Sequence, residues 1–266
     1  MTTVFGGYFG SRLVAIVFAF VFLCGVNLRV SADDDAGELR HLITHAESGD
    51  AAAQFILARR LENGDGIDAS VAQAATWYRR AAEQGHVAAE LRMAWLYNTG
   101  EGVPEDTDAS FVWLEKAAHG GHPLAQYRLA WMYINGDHVA KDTEVAKLWF
   151  QRSAKQDYPD AQNALGYLYQ HTERGQDFYQ AAYWYLMAMR NEHVFAFGNM
   201  ADLMNAAPQK ALTANVKVYA EPISTAAVKA EYVAGDVVCE LTRQGQWIAV
   251  VDKERRILGW MDAAAF

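Results

Sequence analysis

Trp77-Tyr78-Arg79-Arg80-Ala81-Ala82-Glu83-Gln84-Gly85 closes one unit of a sequence that repeats itself. Gly85 lies 36 positions from both Gly49 and Gly121, and Asp157 continues the series. Four residues beyond each come Ala53, Ala89, Ala125 and Ala161. The next columns hold Leu57, Met93, Leu129 and Leu165, then Leu61, Tyr97, Tyr133 and Tyr169. Trp77, Trp113 and Trp149 share a column, and Trp184 follows after a slip of one residue. In-phase agreement across so many columns marks an internal repeat of stacked supersecondary units.

Each unit reads as two helices. Ala125, Leu129, Met132 and Tyr133 recur at helical spacing in the first. Gly64-Asp65-Gly66 and Gly100-Glu101-Gly102 close it, because glycine tolerates the left-handed conformation at a helix end. The second helix carries Ala74, Trp77, Tyr78, Ala81 and Ala82; small alanines allow close approach while aromatics fill the space between pairs. One pair cannot bury its apolar face alone, so the units must stack into an α/α helical-repeat solenoid. Residues 38–48, with Leu39, Leu42 and Ala46, predict an N-terminal capping helix, and His193–Asn205 a closing one. The fourth unit replaces its glycine turn with Gln170-His171-Thr172-Glu173-Arg174.

The run Ala125…Leu129-Ala130…Tyr133…Gly136, then Ala146…Trp149-Phe150…Ala154, resembles the Sel1-like repeat, a relative of the tetratricopeptide repeat. Gly102-Val103-Pro104…Asp106 is similar to its turn, and Trp77–Gly85 to its second helix. The resemblance covers residues 37–204 and implies a right-handed superhelix that binds partner proteins as a scaffold or adaptor.

After Ala206-Ala207-Pro208-Gln209-Lys210 the period changes, and residues 205–213 read as a linker. Val216 and Val218 alternate with Lys217 and Tyr219, the period of a strand. Short runs follow at Val228–Val233, Val237–Leu241, Trp247–Val251 and Leu258–Met261, separated by turns that include Lys253–Arg256. Such spacing predicts a separate small all-β domain over 214–266, an antiparallel barrel. Gly235-Asp236-Val237-Val238, Gly245-Gln246-Trp247 and Gly259-Trp260-Met261 give it a resemblance to the bacterial SH3-like domain. That resemblance implies recognition of a cell-wall peptide or an envelope protein, with Tyr219 and Tyr232 as candidate ligand contacts and Trp247 and Trp260 as supports of the fold. Where that family carries Arg after its first strand, this chain has Tyr219.

Arg12 precedes an apolar run from Leu13 to Val26, the length of a signal-peptide core and short of a membrane span. Val30-Ser31-Ala32 before Asp33-Asp34-Asp35 places cleavage after Ala32, so residues 1–32 are expected to export the chain to the periplasm or beyond. Bulky Leu23 before Cys24 argues against a lipoprotein signal. Cleavage would leave Cys239 alone, excluding an intramolecular disulfide and pointing to a buried thiol. The formal charge of −9, with no basic run to offset it, excludes a phosphate-neutralising surface and hence nucleic acid.

No HExxH, GxSxG, phosphate loop or Ser-x-x-Lys is present, so no catalytic residue and no cofactor are assigned. The alternative is a cell-wall-active enzyme or hydrolase whose site carries no recognised motif. His41 and His45 are four apart on one helix but lack a third ligand of suitable spacing, and no metal site is assigned. His119 and His122 read as loop residues around Gly120-Gly121. Two columns stand apart. Arg59, Trp95, Trp131 and Tyr167 are each 36 apart, and four positions earlier come Phe55, Leu91, Tyr127 and Asn163. By analogy with tetratricopeptide repeats both columns face the concave surface, where Tyr and Trp would anchor an envelope or periplasmic protein. Packing of the same residues against neighbouring helices or the SH3-like domain is the competing reading, and self-association a third.

Overall fold

The computed structural model describes residues 36–171, 177–222, 225–252 and 257–266. The signal segment, residues 172–174 of the fourth turn and the turn at Lys253–Arg256 lie outside the described residues. The chain divides into two compact units, Met1–Thr107 and Asp108–Phe266.

In the first unit, α1 (Ala36–Glu47) is followed by α2 (Ala51–Asn63), α3 (Val71–Glu83) and α4 (Val87–Thr99). The expected N-terminal cap is α1, which buries Leu39 and Ala46. Asp50 and Ser70 start α2 and α3 by accepting the backbone N–H of Ala53 and Gln73, satisfying groups that a helix start leaves unpaired. Gly64 and Gly100 end α2 and α4 at φ of 78° and 70°, a conformation costly for any residue with a Cβ.

The second unit contains α5 (Thr107–His119) from its second residue on, α6 (Pro123–Asn135), α7 (Thr143–Ala154), α8 (Pro159–Gln170), α9 (Phe178–Arg190) and α10 (Ala196–Ala206). Pro123 and Pro159 open their helices where a missing N–H has no cost, and Asp142 and Asp177 cap α7 and α9. In both units the repeating columns form the core: Leu57, Met93, Leu129 and Leu165 are all fully buried. Each such side chain contributes about 1.5–3 kcal/mol on burial.

Six strands follow: β1 (Gln209–Ala211), β2 (Val216–Tyr219), β3 (Val228–Tyr232), β4 (Val237–Gln244), β5 (Trp247–Val251) and β6 (Leu258–Asp262). They form one antiparallel sheet in the order β1-β4-β5-β6-β2-β3. The expected barrel is not closed. β1 and β3 are the two edges, and among the described residues no ladder joins them. β1 also corrects the linker reading of 205–213, since Gln209–Ala211 pairs with β4 and Pro208 accepts the Glu240 N–H at 2.7 Å.

The reason lies in the apolar faces. Cys239, Leu241, Ala249, Val251, Leu258 and Trp260 pack against Tyr185, Met200, Leu203 and Met204 of α9 and α10. The intervening positions Val238, Ile248, Val250 and Met261 join Val218 and Tyr232 in a second core. The central strands are buried on both faces, one of them by helices rather than by the sheet itself. Cys239 is buried as expected, its thiol donating to the Met204 carbonyl.

Candidate functional site

In the first unit, helical spacing puts Phe55 and Arg59 on one face of α2, and Leu91 and Trp95 on the corresponding face of α4. Phe55 is half-buried, its ring 4.5 Å from His86 and 5.6 Å from Tyr78. Leu91 and Trp95 are half-buried, and the Arg92 guanidinium lies 4.0 Å from the centre of the Trp95 ring. Arg59 is exposed. Between the helices, Glu62 accepts the Tyr78 hydroxyl at 2.7 Å and pairs with Arg92. Burial, then the Glu62 carboxylate, pushes the Tyr78 phenol well above its ordinary pKa.

In the second unit, Tyr127 is half-buried among Trp131, Phe150 and Tyr158, with ring centres 6.3, 5.7 and 5.4 Å away. Trp131 stands edge-on to Phe150 yet remains 39% exposed. Asn163 is half-buried and accepts the Asn199 side-chain amide at 2.8 Å. Tyr167 is 52% exposed beside His171. The earlier column is therefore engaged within its own unit, whereas the later one offers side chains to solvent at 59, 131 and 167. Beside this face Asp160 bonds both Tyr158 and His193, and burial followed by Asp160 pushes the Tyr158 phenol up to about 12.

The sheet candidates separate in the same way. Tyr232 is 5% exposed and its hydroxyl bonds the buried Asp252, so it is a core residue rather than a ligand contact. Tyr219 is half-buried, edge-on to Trp247 at 5.6 Å. Trp260 is buried against Tyr179 of α9. Tyr183, Leu186, Met187, Lys229, Ile257 and Leu258 line an open cavity of about 410 Å³ between α9 and the sheet. Its one cation, Lys229, donates to the Leu258 carbonyl at 2.9 Å.

His41 and His45 meet at 3.1 Å, but among the described residues no three His, Cys, Asp or Glu side chains are grouped to hold a metal. Of the two histidines around Gly120-Gly121, His119 is not a loop residue but ends α5 against Trp149, whereas His122 lies in the loop as the residue before α6. Burial lowers the His122 pKa, and its buried Nδ1 has no hydrogen-bond partner. No helix among the described residues is long and apolar enough to cross a membrane.

Sequence reasoning passed over a buried amide column. Gln54, Gln126 and Gln162 directly follow the repeated alanines and are nearly inaccessible. Each donates its amide to the carbonyl of Ala46, Ala118 or Ala154, at 3.0, 3.2 and 3.1 Å. Each also accepts from a side chain one helix further on, Gln84, Gln156 or Asn191, at 2.8–2.9 Å. The signal was present as a polar residue recurring in phase with apolar columns.

The Sel1 repeat family model matches residues 51–86, 87–122, 123–158 and 159–193, more than half of the 266 residues. The chain belongs to the Sel1 repeat family. Among solved structures it is similar to a Sel1 repeat protein from Oxalobacter formigenes, with 37% identity and a TM-score of 0.60 over 64% of this chain and 50% of that one. It is also similar to a protective antigen with an SLR fold from uropathogenic Escherichia coli strains, with 34% identity and a TM-score of 0.58. That match covers 63% of this chain and 36% of the antigen, so the chain spans half or less of both neighbours. No curated protein matches the chain at a significant level. As Sel1 repeats, the helical part is a solenoid of a kind that generally serves as a protein-interaction scaffold.

Proposed function

We propose that the chain is an exported, non-enzymatic adaptor that holds a protein of the bacterial envelope on the first-helix faces of its Sel1 repeats. One observation carries this reading. In the first unit the column of Arg59, Trp95, Trp131 and Tyr167 leaves Arg59 exposed, and in the second it leaves Trp131 39% and Tyr167 52% exposed, while the column of Leu57, Met93, Leu129 and Leu165 is fully buried. Large rigid aromatics with polar tips bury much area at small entropic cost, which is why they anchor interfaces.

Affinity capture from envelope extract, with the mature chain beside a Trp131→Ala/Tyr167→Ala variant, tests the proposal. A protein identified by mass spectrometry and lost only from the variant, with the far-ultraviolet circular dichroism unchanged, is the expected result. Equal recovery on both would sink the assignment of this face. The C-terminal sheet is proposed as a second, SH3-like recognition module, a reading favoured by the half-buried pair Tyr219 and Trp247. Its partner would be an envelope protein or a peptidoglycan peptide. Sedimentation with purified peptidoglycan, abolished by Tyr219→Ala, is the expected result for the latter.

A further inference from the structure

We infer that the partner segment is acidic, and that Arg59 of the first unit is the group that pairs with its Asp or Glu side chain. This rests on the adaptor reading above and adds the chemistry of the occupant.

The chain as a whole carries a formal charge of −9, yet this face of the first unit holds two guanidinium groups, Arg59 and Arg92, against one carboxylate, Glu62. Both oxygens of Glu62 are committed, Oε2 to the Tyr78 hydroxyl at 2.7 Å and Oε1 to Arg92. Arg92 is further held over the Trp95 ring at 4.0 Å. Arg59 is the surplus cation. It is exposed, and among the described residues it has neither an ion-pair nor a hydrogen-bond partner.

Its neighbours are not in that position. Arg60 pairs with Glu38 at 2.9 Å, Arg79 donates to the Tyr97 hydroxyl at 2.8 Å, and Arg80 lies over Trp77. Burial and Glu62 raise the Tyr78 pKa, and Arg92 and Arg59 both act against that rise, which places the two cations in one locality. A guanidinium presents a planar fork that matches a carboxylate in two parallel hydrogen bonds.

Apolar surface beside the cation favours a peptide over a free anion. Ile56 lies three positions before Arg59 on α2 and is 46% exposed, so the two side chains are neighbours on one helix face. An acidic residue flanked by an apolar one would fill both contacts, while a small anion could use only the charge. A basic segment would meet two cations and be repelled.

Selection of phage-displayed random dodecapeptides on the full mature chain tests this, with Arg59→Glu, Arg59→Gln and Trp131→Ala/Tyr167→Ala variants selected in parallel. The expected outcome is enrichment of Asp or Glu next to an apolar residue. Arg59→Gln should weaken the best synthetic peptide by about tenfold or more, and Arg59→Glu should shift selection towards Lys and Arg. Affinity should also fall with added salt. Enriched peptides without acids, or a selection unchanged by Arg59→Glu, would overturn the inference. If those peptides were still lost with Trp131→Ala/Tyr167→Ala, the adaptor reading would survive. Failure to enrich any peptide would also count against an acidic linear segment, and envelope capture would then decide the adaptor reading by itself. Arg59 is exposed, so unchanged circular dichroism in its variants separates binding effects from misfolding.

Discussion

Replacing Gln126 by Met keeps the length and volume of the side chain while deleting its hydrogen bonds. In the native protein its amide donates to the Ala118 carbonyl at 3.2 Å and its carbonyl accepts from Gln156 at 2.9 Å. Ala118 O also accepts from the Gly121 N–H at 3.1 Å, so the substitution empties only its second lone pair. Gln156 is exposed and retains its bond to the Gly121 carbonyl at 2.9 Å. The loss therefore falls at the lower end of the range for a buried hydrogen-bond group, about 1–2 kcal/mol. Shape is conserved, so no large cavity term adds to it. Urea unfolding followed by circular dichroism should show a lower midpoint with an unchanged slope. A double-mutant cycle with Gln156→Ala should give a coupling of about 0.5–1.5 kcal/mol, since these residues touch. A loss below about 0.5 kcal/mol, within the range of ordinary surface substitutions, would refute the idea that the amide column ties successive helices together.

Two further outcomes follow from the packing and the titrating groups. A Cβ at Gly166 would lie 2.5 Å from the Tyr185 ring, which is fully buried with its hydroxyl bonded to Gln170 at 2.9 Å and so cannot swing away. Gly166→Ala should lower stability by about 1–3 kcal/mol despite the better helix propensity of alanine, and a raised melting temperature would contradict the close approach of α8 and α9. Tyr158 has its folded pKa raised to about 12, and Tyr78 and Tyr185 are raised by burial as well. The folded state therefore holds these protons more tightly than the unfolded state. Their contribution is full below about pH 10 and is lost as pH rises through the folded values. Melting temperature against pH should bend downward only above about pH 10, with Tyr158→Phe reducing the slope, and a fall centred below about pH 9 would refute the assignment to these phenols.

Much of the fold was legible because a repeat exposes its core arithmetically. Ala125 and Leu129 occupy the same environment as Ala89 and Met93, so four copies of one pattern reveal which positions face inward. The candidate columns were legible as positions, but their roles were not. Phe55 and Trp131 look alike as aromatics in a helix, and only the neighbours contributed by α3 and α7 separate a packed ring from an exposed one. Tyr232 shows the same limit: its alternating strand position is compatible with either face, and the buried Asp252 that takes its hydroxyl lies 20 residues away.

Local periodicity thus determined the helices, their glycine ends and the short strands other than β1, since each depends on residues within one or two turns or a single pleat. Tertiary structure alone decided that the sheet stays open, because that depends on α9 and α10 covering one face while β1 and β3 remain apart. It also decided that Gln126 is a clamp and that Arg59 has no ion pair among the described residues. Both outcomes depend on which side chains from other helices arrive at hydrogen-bonding distance, and no spacing within one helix encodes that.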